Sequence, residues 1–454
     1  MARPTEIRTG REQLGEVSAP SGTLVVVDTG LLNLWTHDRA PLLPDDILSP
    51  ETTAKANAGL DFSIDGPDAE KAGKLFDRGW HPRFLYDIPA NGVLNLEATF
   101  AEHVRAHRLN AKLVPLSERV PHRRRIDLAL EYGRGAGEIS FHGIWAAVVS
   151  GVPQLRLLPI FGERMQTEQD CGRWHVVYVE CQPGGAISRS EFAGHAMVDK
   201  SRLMFADANA LGDWKQEECL DGRADFVFWG KDAAQLAALA GAKDLGDDEF
   251  GWVDLPVDEA VERGTAAEAL RDQRGIKVAT DFRPHSHHHQ VMQQVRSSPT
   301  ESGVVSVGKA KMCTFMTTWG DGIFPVYRDL DASGQLIRIR IHLGNEKIVK
   351  RQRTMEERWF GQFAKFAAVS AKVVDDGASV RWLFREETDR DDDSGWRVFA
   401  GDENEEYTDD AKNIRIVPLR ELIDRDETLE AVFRAPVGAA FERERSDLPF
   451  RPVS

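Results

Sequence analysis

The sequence has 454 residues, of which 42% are hydrophobic and 29% charged, and its formal net charge is −16 at pH 7. This length exceeds what one hydrophobic core usually supports, so we expect about two domains. The acidic balance disfavours unspecific binding to nucleic acid or to an anionic membrane, because both require clustered Lys and Arg.

The four cysteines contain no C-x-x-C pair, which fits neither a disulfide framework nor a structural zinc site. The N-terminus lacks the apolar segment of a signal peptide, and the apolar stretches are too short to span a bilayer. We therefore expect a cytoplasmic chain. The one basic cluster, at 123–125, has no interleaved aromatic residues and is interpreted as a surface patch or as a contact for an acidic ligand.

The first 340 residues alternate short strands with fewer helices. β-branched runs between Gly and Pro breakers predict strands, and Ala, Glu and Leu at helical spacing predict helices. The predicted strands are 24–27, 139–141, 144–149, 155–158, 175–180 and 224–230, and the predicted helices are 96–106, 231–239 and 257–271. A hairpin of 324–328 with 335–341 is expected to close the domain. This mixture predicts an α+β fold.

A charged segment at 345–359 indicates a helix or linker between the domains. We place a large α+β domain of unknown activity at 1–356 and a small α+β domain at 357–454. The small domain begins with a strand-like block at 366–374. Residues 361–454 hold 22 Asp and Glu against 14 Lys and Arg, so they carry −8 of the total charge of −16.

The tail contains a distinctive order of short motifs. Val-Arg-Trp-Leu-Phe-Arg at 380–385 is followed by Ser-Gly-Trp-Arg-Val-Phe at 394–399 and by Pro-Val-Gly at 436–438. In this order the tail, over about 366–443, resembles the immunity protein 33 family of bacterial polymorphic-toxin systems. The resemblance implies neutralisation of a protein toxin by binding, and it implies no catalytic residues and no cofactor.

Two acidic loops of the tail flank an aromatic strand, which predicts a partly exposed apolar surface ringed by carboxylates that would attract a basic toxin face. Solvated turns are the alternative interpretation of these loops. The candidate binding residues are Glu386, Glu387, Asp391, Asp393, Trp396, Phe399, Asp402, Glu403 and Tyr407.

The large domain more loosely resembles an uncharacterised bacterial domain family. The matching motifs are Ser-Gly-Thr-Leu at 21–24, Met-Val-Asp at 197–199, Phe-Ala-Asp at 205–207 and Trp-Gly-Asp-Gly at 319–322. Their carboxylates, Asp199, Asp207 and Asp321, are candidates for general acid–base work, and turn capping explains each of them equally well.

The run His-Ser-His-His-His at 285–289 is the strongest chemical candidate. In an extended segment, His285, His287 and His289 would share one face and could hold a transition metal. An exposed turn or a packed, hydrogen-bonded cluster is the alternative. His103 and His107 also have helical i, i+4 spacing, but the glutamate of a zinc protease motif is missing, so we interpret them as a solvated helix face.

Binding of a bacterial toxin is thus the function that the sequence favours. The alternative is a hydrolase that uses Asp199, Asp321 and the histidine run with a divalent metal, with the tail as an interaction or regulatory module.

Overall fold

The computed structural model describes residues 10–41, 58–76, 81–89, 92–165, 172–344, 346–359 and 361–453. The chain divides into two compact units, the N-terminal unit Met1–Asn345 and the C-terminal unit Glu346–Ser454. Cys171 lies outside the described residues, and Cys181, Cys219 and Cys313 are free thiols. Within the described ranges we find no helix with the length and apolarity that a membrane crossing requires.

Strands dominate the described part of the N-terminal unit. In chain order they are β1 (Arg11–Val17), β2 (Thr23–Asp28), β3 (Ala58–Asp65), β4 (Phe84–Pro89), β5 (Lys112–Pro115), β6 (Ala136–Phe141), β7 (Ile144–Ser150), β8 (Leu158–Arg164), β9 (Trp174–Glu180), β10 (Arg189–Val198), β11 (Arg202–Asp207), β12 (Arg223–Trp229), β13 (Lys243–Gly246), β14 (Glu249–Pro256), β15 (Ala279–Pro284), β16 (Ser302–Val307), β17 (Ala310–Met316), β18 (Gly322–Leu330) and β19 (Leu336–His342).

The α-helices described in this unit separate groups of strands. They are α1 (Ala69–Phe76), α2 (Val93–Ala106), α3 (His122–Tyr132), α4 (Ala233–Ala240), α5 (Val257–Arg274) and α6 (His287–Ser297). Two 3₁₀ turns, Thr29–Leu34 and Ala210–Asp213, follow β2 and β11.

Two six-stranded sheets form the centre of the N-terminal unit, with strand orders β1-β8-β9-β19-β18-β10 and β16-β17-β11-β2-β7-β6. Strand β10 lies against β2, β6 and β7, and β1 lies against β16 and β17, so the sheets pack face to face. Helices α3 and α6 bury apolar side chains on the second sheet, in a core that includes Val25, Ile126, Met204 and Val291. Three strands, β4-β3-β5, form a separate small sheet.

The four-stranded sheet β13-β14-β12-β15 leads into the histidine run at 285–289 and positions this candidate site. Phe226 and Phe228 of β12 pack on α4 and α5 in one apolar cluster. Because side chains alternate along a strand, Asp225 points to the opposite face. The segment that links β15 to α6 packs against that face.

Most predicted elements are confirmed within one to three residues, including the antiparallel hairpin of β18 and β19. The strand predicted at 155–158 is wrong, since β8 begins only at Leu158 and Leu155 lies fully exposed in a turn. Helix α3 was not predicted.

The interpretation of 123–125 as a surface patch is wrong for Arg125, which is fully buried. Its guanidinium donates to Asp61 and Asp87 at 2.9 Å each and to the carbonyl of Ser140 at 2.6 Å. These carboxylates come from β3 and β4, which lie distant in sequence, so no local pattern indicated the pairing. Arg125 thus joins the small sheet to α3.

The C-terminal unit is a six-stranded sheet with helices. Its strands are β20 (Phe366–Ser370), β21 (Trp382–Arg385), β22 (Asp393–Phe399), β23 (Ile414–Pro418), β24 (Ala440–Glu442) and β25 (Arg451–Val453), in the order β23-β20-β22-β21-β24-β25. Its described helices are α7 (Glu346–Trp359), α8 (Ala371–Val374), α9 (Glu405–Asp409), α10 (Leu419–Arg425) and α11 (Leu429–Phe433), with 3₁₀ turns at Gln362–Ala364 and Ala411–Asn413. The predicted boundary at 356/357 falls inside α7.

Candidate functional site

The two faces of the C-terminal sheet differ sharply. On one face Leu383, Trp396 and Val398 pack with residues of α10 and α11 in the core of the unit. Trp396 is 0% exposed, and its indole N–H donates to the carbonyl of Phe433 at 3.3 Å. This face is therefore closed by the helices.

The opposite face carries three partly exposed aromatic rings: Trp382, Phe384 and Phe399. Trp382 pairs with Phe399 across β21 and β22. The rings of Phe384 and Phe399 are stacked at 6.1 Å between centroids, and Trp382 lies 6.4 Å from Phe384. We call this surface, defined by Trp382, Phe384 and Phe399, the aromatic face.

A groove of about 490 Å³ runs along the aromatic face. Besides the three rings, it is lined by Arg381, Gly401, Glu403, Thr408, Glu442 and Arg443. Further across the same face, the register places Ala368 beside Arg397 and Ile416 beside Ala368, and Ile416 is 65% exposed. Ile416 is thus a second exposed apolar group near the sheet edge, and the ion-paired Arg397 separates it from the groove.

Several carboxylates near this face accept hydrogen bonds from the local backbone. Asp393 accepts from the guanidinium of Arg397 at 2.9 Å and from the amide of Gly395 at 2.8 Å. The hydrogen bond from Arg397 holds the pKa of Asp393 below its ordinary value. Glu403 accepts from the amides of Ala400 and Gly401 at 2.8 Å each. Both side chains therefore stabilise turns of the sheet.

The predicted binding residues are dispersed over different environments. Phe399 lines the groove, whereas Trp396 lies in the core, so the expectation that Trp396 forms part of an exposed surface is wrong. Alternation along β22 turns positions 396 and 398 inward and 397 and 399 outward. The remaining predicted residues of the loops, Glu386, Glu387, Asp391, Asp402 and Tyr407, are exposed or partly exposed.

Two of these loop residues have basic partners. Glu386 pairs with Arg397 at 2.6 Å, and Asp402 pairs with Lys372 at 3.2 Å. The Lys372 ammonium also lies 4.9 Å from the ring centroid of Tyr407. Trp382 and Phe384 were missed as candidates, although the order Trp-Leu-Phe already indicates one inward residue between two outward ones.

In the N-terminal unit, the predicted carboxylates do not form one site. Asp207 is buried and accepts from the amides of Ser21 and Ala210, at 2.8 and 2.9 Å. Asp199 precedes β11 and Asp207 ends it, so the length of the strand, roughly 17 Å, separates them. Asp321 accepts from the amide of Ser201 at 2.8 Å. Turn capping accounts for the contacts of Asp207 and Asp321.

A compact cluster instead forms around Asp225. His285 Nε2 lies 3.0 Å from Asp225 Oδ1, and His289 Nε2 lies 3.0 Å from Asp225 Oδ2. The two imidazole rings are stacked, with centroids 4.4 Å apart and planes inclined by 9°. We call Asp225, His285 and His289 the His–Asp cluster.

Local structure explains why these two histidines meet. The strand ends at Pro284, Ser286 is the N-cap of α6, and its hydroxyl accepts from the amide of His289. His285 therefore precedes the cap while His289 lies in the first helical turn. The prediction of an extended segment with three histidines on one face is wrong. His287 turns away, where Nδ1 accepts from the amide of Lys215 at 2.9 Å and the ring stacks on Trp214.

Charges and burial set the ionisation of the cluster. Burial raises the pKa of Asp225, but hydrogen bonds from His289, the Asp254 amide and His285 outweigh it and lower the pKa to about 2. Burial lowers the pKa of His285, yet its hydrogen bonds to Asp225 and Asp221 raise it above the ordinary value. A groove of about 440 Å³, lined among others by His288 and His289, reaches the cluster.

Comparison with known proteins gives a family for the tail alone. Residues 367–453 match the family model of the immunity protein Imm33 domain, as the sequence motifs predicted. No curated protein and no solved structure matches the chain. The similarity to an immunity domain therefore covers the C-terminal region, and it does not extend to the His–Asp cluster.

Proposed function

We propose that this protein is an immunity protein whose C-terminal unit neutralises a bacterial protein toxin by binding it through the aromatic face. The match of residues 367–453 to the immunity protein Imm33 domain is the observation that carries this proposal. An immunity domain acts on a toxin, so the partner is a protein and the required site is a surface. The aromatic face is the surface of this unit that suits the task best.

The chemistry of the aromatic face fits a binding hot spot. Trp and other large aromatic side chains contribute most where they are partly exposed in the free protein and become fully desolvated in a complex. Trp382, Phe384 and Phe399 are held in register by neighbouring strands, so little conformational freedom is lost on binding. Charged side chains at the rim, including Glu442 and Arg381, then exclude water around the contact.

Charge favours a basic partner. The region 361–454 carries −8, and the exposed loop residues Glu387 and Asp391 add negative potential near the sheet. Such a field accelerates the encounter with a basic toxin surface and contributes less to the final affinity. The loops thus guide the partner, while the aromatic rings supply the binding energy.

The test uses the untruncated chain as bait in a lysate of the cells from which the sequence comes, with mass spectrometry of the captured proteins. We expect capture of a protein with a toxin domain, and we expect the chain to rescue the growth of cells that express this domain. A chain that ends at Trp359 should capture nothing of this kind. Failure to capture a toxin domain, or equal capture by the shortened chain, would contradict the proposal.

Matched variants locate the surface. The double variant W382A/F399A removes two rings of the aromatic face, and V437A removes an exposed apolar side chain elsewhere in the same unit. We expect V437A to bind and rescue like the wild type, and W382A/F399A to bind more weakly and to rescue less well. Equal rescue by both variants would show that the toxin binds another surface.

A further inference from the structure

We propose that the His–Asp cluster of the N-terminal unit binds a divalent transition-metal ion of the zinc type, with Asp225, His285 and His289 as ligands. The site is independent of the proposed function, because it lies in the other compact unit and outside the matched immunity domain. Two imidazoles with one carboxylate form a donor set that such ions prefer.

The donor atoms have the spacing that one ion requires. Atoms bound to the same tetrahedral zinc ion lie roughly 3.3 Å apart, because each lies about 2.0 Å from the metal. Here each Nε2 lies 3.0 Å from an oxygen of Asp225, and all donor atoms of the cluster lie within 4.8 Å of one another. Small side-chain adjustments are enough to surround an ion.

The groups around the cluster match the outer shell of a metal site. Ligating histidines usually donate their second N–H to a carboxylate or carbonyl, which fixes the ring and its tautomer. His285 does this with Nδ1, which lies 3.1 Å from Asp221 Oδ2. Asp225 is itself oriented by the Asp254 amide at 2.8 Å.

A β-bulge supplies that last contact. The register between β12 and β14 shifts beside Asp225, and Asp254 adopts a φ of +58°, which is unfavourable for a residue other than glycine. Bulges of this kind often redirect groups next to functional sites. The strand is thus distorted at the residue that aims the carboxylate of Asp225 at both histidines.

Access to the cluster is compatible with an exchangeable ligand. His289 lines the groove of about 440 Å³, together with Glu217, Arg283 and Arg296 among others. Three protein ligands leave one position of a tetrahedral ion for water or another small ligand. The side chains of Asp225 and His289 are themselves less than 10% exposed, as expected for ligands of a built site.

The experiment measures metal retained by the untagged, full-length protein after incubation with Zn²⁺ and exhaustive dialysis, and the visible spectrum after incubation with Co²⁺. We expect about one equivalent of Zn²⁺ per chain and a Co²⁺ absorption typical of low coordination number. Bound metal should also raise the melting temperature of the wild type.

Graded variants distinguish a metal site from a hydrogen-bonded cluster. We expect D225N and H289Q to retain no metal, and D221N, which changes only the outer shell, to bind roughly 10- to 100-fold more weakly. The control is H107Q, because the partly buried His103 and the exposed His107 form an imidazole pair, with ring centroids 4.5 Å apart, that could bind metal adventitiously. This control should retain as much as the wild type.

Two results would overturn the proposal. One is a wild-type protein that retains no Zn²⁺, which would leave a packed His–Asp network; this outcome does not depend on the folding of any variant. The other is undiminished retention by D225N and H289Q, whose folding is checked by circular dichroism. Either result leaves the toxin-binding proposal untouched, since that proposal concerns the C-terminal unit.

Discussion

Trp396 and Trp382 lie on neighbouring strands of the same sheet, yet they have different surroundings. Trp396 is fully enclosed by the helices of the C-terminal unit, and Trp382 lines an open groove. The alternation of side chains along a strand decides which face each indole joins. The comparison shows that a single sheet can bury one tryptophan in the core and leave another on an accessible face.

The largest effect is expected from W396A. Removal of a buried tryptophan leaves a cavity, so the free energy of unfolding of the C-terminal unit should fall by about 3–5 kcal/mol. Hydrogen exchange of the β21 and β22 amides measures this value in the full chain. A loss below about 1 kcal/mol would contradict the assignment of Trp396 to the core.

The second effect concerns binding. In W382A/F399A we expect toxin affinity to fall by about 2 kcal/mol or more, which is roughly 30-fold in Kd, while exchange of the core amides changes little. Titration calorimetry with the purified toxin domain gives the affinity. If the variant instead unfolds like W396A, the aromatic face would belong to the core and the contrast between the two faces would disappear.

A third prediction concerns Arg443, which lines the groove although its side chain is only 1% exposed. The guanidinium pairs with Asp426, whose pKa burial raises but hydrogen bonds from Thr428 and Arg443 lower on balance. The stabilisation from ionised Asp426 is therefore complete above about pH 4 and is lost as the pH falls through the lowered pKa.

This acid sensitivity should be smaller in D426N. We expect the wild type to lose up to about 1 kcal/mol more unfolding free energy than D426N below pH 4, since Asp426 is partly exposed. The exposed Asp391 offers the control D391N, which should follow the wild type. Parallel pH curves for wild type and D426N would show that the ion pair does not stabilise the unit.

The smallest effect is expected from removal of a charge at the rim of the groove. Glu442 is exposed beside Trp382, so E442Q should leave stability unchanged and lower the association rate with a basic toxin by a few-fold at low salt. Stopped-flow association at several salt concentrations measures this change. An affinity loss as large as that of W382A/F399A would mean that the charge, and not the aromatic rings, dominates binding.

Local sequence patterns predicted most helices and strands well, because these elements depend mainly on residues that are near neighbours in sequence. The hairpin of β18 and β19 and helix α5 follow from alternation and from helix propensity. The alternating order Trp-Leu-Phe at 382–384 already indicated the aromatic face. The prediction chose Trp396 instead, because Trp396 lies between the two acidic loops in the sequence. An alternating strand has two faces, and only the packed helices show which of them is closed.

Long-range pairing could not be predicted in the same way. Asp225 lies 60 residues before His285, and no spacing rule connects them. The histidine run itself was identified, but the helix start at His287 changed which of its rings meet. Arg125 was assigned to the surface because its partners, Asp61 and Asp87, come from other elements of the fold.

Hydroxyl-radical footprinting of the full chain, with and without its captured toxin, tests the central claim most directly. We predict that Trp382, Phe384 and Phe399 are oxidised in the free protein and protected in the complex. Trp396 should remain unoxidised in both states, which makes it an internal control. Unchanged oxidation of the three aromatic residues in a saturated complex would contradict the claim that the toxin binds the aromatic face.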